Sequence, residues 1–196
     1  MGALSGIISA FGLSTAAGLN AYIPLLVVAV LGRMGVINLS SPYDAITSWW
    51  AIAAIVILGA VEFAVDKIPG ADHINDAVQT FVRPAAGALL FAANSGVITQ
   101  TSPVLALVIG LILAGGVHIT KAAARPVVNA TTLGIGAPIV SVLEDAVSVT
   151  GSLLAVFLPA VFLLFAAFMA YLIWRIYRRL QSRHLEDSGP TIVVRS

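Results

Sequence analysis

The sequence predicts an all-α integral membrane protein: a compact bundle of about five to six transmembrane helices, some broken or half-spanning. Three observations lead there. Of 196 residues, 59% are hydrophobic and only 10% are charged, where a soluble domain carries about 25% charged residues. Mean hydropathy is +1.01. Apolar runs of spanning length follow one another, and no polar stretch is long enough for a second domain. Residues 1–183 read as one transmembrane domain and 184–196 as a polar cytoplasmic tail.

Residues 4–31 form one apolar stretch interrupted at Gly18-Leu19-Asn20 and at Pro24, either one kinked helix or two half-helices. Arg33 and a loop follow. Trp49 and Trp50 mark a membrane interface, and a helix runs from there to about Ile68. Residues 66–84 are a polar connection, and Pro84 is expected to open an apolar half-helix ending at Ala93. Ser95 to Pro103 is a polar turn. A second long helix runs from Val104 towards Asn129, with Pro126 at its edge, and residues 131–138 break it. Ile139 to Val149 leads into a long apolar helix ending near Tyr177. The start, MGALSGIISAFGLSTAAG, lacks a basic leader and reads as mature protein.

The middle of the chain shows a weak internal repeat, with units 50–95 and 104–165. ILGAVEFAVDK aligns with ILAGGVHITKA, placing Asp66 opposite Lys121; NDAVQT aligns with EDAVSV, placing Asp76 opposite Asp145. Two readings stand: parallel repeats of helical hairpins, as in some transporters, or chance likeness between alanine- and valine-rich helices.

Charge is concentrated where apolar sequence surrounds it. Glu62, Asp66, Lys67, Asp72, His73, Asp76 and Arg83 form one group; His118, Lys121, Arg125, Asn129, Glu144 and Asp145 form another. Charge at bilayer depth is costly, so such residues face the bundle interior, pair, and mark functional paths. His118, Lys121, Arg125 and Asn129 share one helical face by spacing. That stripe either lines a cavity or pairs structurally with Asp66, Asp76 or Glu144. Glu62 and Asp66, one turn apart, suit a proton relay or a hard cation, but Lys67 and Arg83 can neutralise them without metal. Asn20, Ser14 and Thr15 supply either a cavity wall or interhelical hydrogen bonds.

Orientation follows from Arg175, Arg178, Arg179 and Arg183, a basic cluster that belongs in the cytoplasm. Arg33 then falls on the same side. Lys67, Arg83, Lys121 and Arg125 fall near the opposite side, against the positive-inside trend, which favours burial in a polar site. The chain has no cysteine, excluding thiolate chemistry and disulfides. Net charge of +1 gives no reason for nucleic-acid binding.

The segments LSTAAGLNAYIPLL, DKIPGADHINDAVQTFVRPAAGALLFA, HITKAAARPVVNATT and GAPIVSVLEDA together resemble a prokaryotic membrane family, domain of unknown function 4126. The resemblance covers residues 13–154 and leaves out the tail beyond Arg183. It implies a membrane bundle and brings no activity with it. Asn20, Asp66, Lys67, Asp72, His73, Asp76, Arg83, Lys121, Arg125, Asn129, Glu144 and Asp145 match its motif blocks.

The functional expectation is a small transporter or channel-like protein, not an enzyme, in a prokaryotic cytoplasmic (inner) membrane. Its charged site takes a small ion or charged solute, with proton coupling suited to the balance of signs. It needs no cofactor; its surroundings are lipid, and its small-residue faces allow a homo-oligomer. The alternative is an accessory or assembly subunit whose ion pairs are structural. A third reading, a lipid head-group enzyme, requires His73 or His118 bonded to a carboxylate beside room for substrate.

Overall fold

The computed structural model describes residues 2–65, 72–132 and 136–187. Among these the chain is helical throughout its regular structure: α1 (Ala3–Leu19), α2 (Tyr22–Arg33), α3 (Trp49–Val65), α4 (Asp72–Asn94), α5 (Val97–Thr101), α6 (Pro103–Thr132), α7 (Gly136–Phe157) and α8 (Pro159–Asp187), with a short 3-10 turn at Tyr43–Thr47. Among the described residues three segments are long and apolar enough to cross a membrane: Pro103–Thr132, Pro138–Phe157 and Pro159–Ile176. α1, α2 and α3 are shorter apolar helices.

Residues 1–162 form one compact unit and 163–196 a second. The first unit buries charged and polar side chains within an apolar core and leaves many large apolar side chains outside. Arg83 is fully buried while Ile57, Ile112 and Ile119 are exposed. That inverts the pattern of a water-soluble domain and suits a hydrocarbon surround.

α1 is the central helix, packed on α4, α6 and α7. Its buried face carries Ser9, Ala10, Gly12, Leu13, Ser14, Ala16, Ala17 and Gly18, mostly small residues that let helices approach closely where lipid supplies no hydrophobic drive. Ser14 Oγ donates to the Gly87 carbonyl at 2.9 Å, Ser9 Oγ donates to the Ala155 carbonyl at 2.5 Å, and Ser148 Oγ donates to the Ala16 carbonyl at 3.2 Å. These are the interhelical bonds expected of Ser14. Thr15 differs, because its Oγ1 donates to Phe11 of its own helix.

The stretch 4–31 is two helices. Pro24 has no amide hydrogen to donate to the Asn20 carbonyl, and its ring crowds that carbonyl. Asn20 turns extended, with φ −144° and ψ 122°. Its side-chain Oδ1 then accepts from the amides of Tyr22 (3.0 Å) and Ile23 (3.2 Å), which caps α2.

Three expected boundaries are corrected. Pro84 does not open a helix; it lies inside α4, which begins at Asp72. Asp76, expected in the polar connection, is therefore within α4. A proline inside a membrane helix is tolerated in a packed bundle, and here Gly115 of α6 lies beside the Pro84 ring. Pro126 likewise lies inside α6, not at its edge. The helix expected to run on to Tyr177 ends at Phe157, and Pro159 takes the first position of α8, where its missing amide costs nothing. The polar turn after α4 contains the short helix α5, entered through Gly96 at φ 45°.

At the end of α2, Arg33 donates to the Thr47 carbonyl and lies 4.1 Å over the Trp49 ring. Trp49 and Trp50 are both exposed at the start of α3, as interfacial aromatics are. In the second unit, Tyr171 and Trp174 pack at 6.1 Å and Arg178 lies 4.8 Å over Trp174.

Candidate functional site: a buried charge cluster

Two of the three face-sharing residues described on α6 are buried: His118 and Lys121, with Arg125 half-buried one turn on. The spacing expected to gather them does so, because α6 packs against α4 on one side and α1 on another. Two ion pairs result among the described residues.

The first joins α4 to α3. Arg83 Nη2 donates to Glu62 Oε1 at 2.8 Å, with side chains 0% and 2% exposed. Arg83 Nη1 faces His118 Nδ1 at 3.4 Å, and His118 Nε2 faces Thr80 Oγ1 at 3.1 Å. A guanidinium can only donate. Nδ1 of His118 therefore accepts, and the ring proton sits on Nε2 towards Thr80. Gln79 is 1% exposed beside them and reaches the Tyr22 hydroxyl of α2, on which Glu62 and Arg83 also act.

The second pair joins α6 to α7. Lys121 Nζ lies 2.6 Å from Glu144 Oε2 and donates to the Leu19 carbonyl at 3.1 Å. That carbonyl belongs to the last turn of α1, the negative end of the helix dipole, which favours a cation. Next to it, Asn20 Nδ2 donates to Asp145 Oδ1 at 2.9 Å. Asn20 thus serves both α2, through its oxygen, and α7, through its nitrogen.

Of the residues expected in the site, Asn20, Glu62, Arg83, His118, Lys121, Glu144 and Asp145 are joined in these two linked groups, with Arg125 in electrostatic reach of Lys121. Asp66 and Lys67 lie outside the described residues. Asp72, His73 and Asp76 fall on α4 and Asn129 on α6, and their side chains lie outside the description. The sequence reading missed Tyr22, Gln79, Thr80 and the Leu19 carbonyl. Gln79 and Arg83 are one helical turn apart, a polar i,i+4 pair in an apolar helix that carried the missing signal. A backbone carbonyl leaves no such trace.

Arg83 Nε and Gln79 Oε1 are among the buried polar atoms that have no hydrogen-bond partner among the described residues. Burying such groups unmatched is costly, and native cores supply a protein group or water for nearly all of them. Among the described residues no group of three or more His, Asp or Glu side chains is placed to hold a metal ion.

A family model, described as a domain of unknown function (DUF4126), matches residues 7–179. No curated protein matches the chain, and no solved structure does.

Proposed function

The chain belongs to that family, and we propose that it is a small transporter or channel-like protein whose buried charge cluster takes a small ion or charged solute. One observation carries the reading. Four helices, α3, α4, α6 and α7, and the break between α1 and α2 bring charges of both signs into one interior, where a donor on Arg83 and an acceptor on Gln79 have no partner among the described residues. Intramembrane charge on discontinuous helices is the usual construction of a solute path. We place the protein in a prokaryotic cytoplasmic membrane with its C-terminus inside, since Arg175 and Arg178 are exposed on α8.

The accessory-subunit reading has its own support: both described ion pairs close within the chain, and buried pairs often serve structure alone. It requires complete pairing, which Gln79 Oε1 and Arg83 Nε do not meet among the described residues.

Thermal unfolding in detergent with a panel of ions, amino acids, organic acids and lipid head groups tests the choice. Wild type and Arg125→Ala are compared. A bound solute at about 100 times its Kd stabilises the folded state by about 2.7 kcal/mol. A rise in Tm for wild type, lost in Arg125→Ala, is the expected result and names the solute class for flux in liposomes. No response to any solute, together with no flux of any of them, would remove the transport reading in favour of the accessory one.

A further inference from the structure

We propose that the charged end of α8 is a binding site for anionic phospholipid head groups, formed by Arg175 and Arg178 beside Trp174. The inference is independent of the transport reading. Pro159–Ile176 is an apolar span, and Leu164, Phe168 and Ile173 along it are exposed, as side chains among acyl chains are. The charge begins where this span ends. Arg175, Arg178, Arg179 and Arg183 follow one another, and from Pro159 to Leu185 the helix carries no acidic residue. The side chains of Arg179 and Arg183 lie outside the description, so the geometry rests on the first two.

Tyr171, Trp174 and Arg178 are spaced by three and four residues, which puts them on one helical face. The Tyr171 and Trp174 rings pack at 6.1 Å, and the Arg178 guanidinium carbon lies 4.8 Å from the centre of the Trp174 ring. Arg175 precedes Arg178 by three residues and neighbours it on the surface. All four side chains are exposed. Tyrosine and tryptophan at the end of a span settle at head-group level, with an apolar body and a polar tip. Trp174 therefore sets a depth, and Arg178 on its ring is held at that depth.

The chemistry of the occupant follows from that depth. A guanidinium presents a flat fork of N–H donors that matches two phosphate oxygens, and at head-group level the phosphate is a phosphodiester. A zwitterionic head group brings its own cation to the two arginines. One with net negative charge, such as that of phosphatidylglycerol, does not, and basic residues just beyond a span favour it. Trp49 and Trp50 provide a comparison within the same chain. Arg33 lies 4.1 Å over Trp49 but donates to the Thr47 carbonyl. It is the only lysine or arginine before Lys67, and Asp44 stands in the turn that follows. One cation beside a carboxylate gives no reason for a head-group preference there.

Tryptophan fluorescence of the full-length protein in mixed bilayers, quenched by lipids with brominated acyl chains, tests this, because the chain has three tryptophans. Trp49→Phe/Trp50→Phe leaves Trp174 as the reporter, and Trp174→Phe leaves the other two. Brominated phosphatidylglycerol in plain phosphatidylcholine is compared with the reverse mixture at equal mole fractions. Phosphatidylglycerol should be favoured at Trp174 by at least about fivefold, with no preference at Trp49 and Trp50. With Trp174 reporting, Arg175→Gln/Arg178→Gln should abolish the preference. Arg178→Lys, which keeps the charge and gives up the fork, should weaken it at least about twofold. Equal quenching by the two lipids at Trp174, or an equal preference at Trp49 and Trp50, would overturn the site. So would an undiminished preference in either arginine variant, which in the lysine case would leave only diffuse surface charge. Inorganic phosphate replacing chloride at constant ionic strength should leave the preference in place; its loss would mean a site for soluble anions and would overturn the lipid one.

Discussion

Replacing Arg83 by methionine alone is expected to lower the stability of the folded protein by about 3–5 kcal/mol, the usual cost of leaving one member of a buried ion pair behind. Glu62 would remain 2% exposed without its 2.8 Å partner, and His118 would lose the donor at its Nδ1. Glu62→Leu alone should cost a similar amount, because the guanidinium is then stranded among α3, α4 and α6. The double variant Arg83→Met/Glu62→Leu should recover most of the loss, since a well-packed apolar pair often equals or exceeds a buried ionic one. Thermal unfolding in detergent across this cycle measures the coupling directly. If the double variant is as unstable as the sum of the singles, the pair is not the unit that matters and Thr80, Gln79 and His118 carry the stability instead. Flux should be absent in the double variant even where stability returns, which separates the pair's structural part from its proposed functional one.

That the buried cations would meet carboxylates was legible in the sequence, and Arg83 with Glu62 and Lys121 with Glu144 stood among the pairings it offered; the choice among them was not. A lysine and an arginine inside apolar helices must meet carboxylates or carbonyls, because hydrocarbon offers nothing else. The choice of Glu144 for Lys121 depends on how α6 meets α7, and that of Glu62 for Arg83 on how α4 meets α3, and local spacing contains no information about either. The break at Asn20 was visible because Pro24 stands four residues later, where it removes one helical bond. The same rule misled at Pro84 and Pro126, which remain inside α4 and α6. At the break, Asn20 offers its own side chain to the amides that become exposed. The double role of Asn20 was visible only in part, since its second partner, Asp145, is 125 residues away.

The other large effect expected is at Gly110, where α6 meets α4 backbone to backbone. A Cβ there would lie 2.7 Å from the Phe91 Cβ and 2.8 Å from the Ala88 Cα, besides the Gly87 carbonyl oxygen. Backbone atoms cannot swing away as side-chain ends do, so the helices must separate or tilt. Overpacking costs about 1–3 kcal/mol for added methylenes and more when backbone must move; Gly110→Val is expected at or above about 3 kcal/mol. Gly116 is the control, on the same helix and exposed, where a Cβ meets nothing within 4 Å, so Gly116→Val should change stability by about 0.5 kcal/mol or less. The consequence extends to the site. His118 follows Gly110 by two helical turns, about 12 Å along the axis, and its bonds to Thr80 and Arg83 cross the same α4–α6 boundary. Forcing that boundary apart should therefore abolish solute-dependent stabilisation along with part of the fold, while Gly116→Val retains both. Equal melting temperatures for Gly110→Val and Gly116→Val would mean that α4 and α6 do not approach at Gly87 and Gly110, and the charge cluster built across them would have to be redrawn.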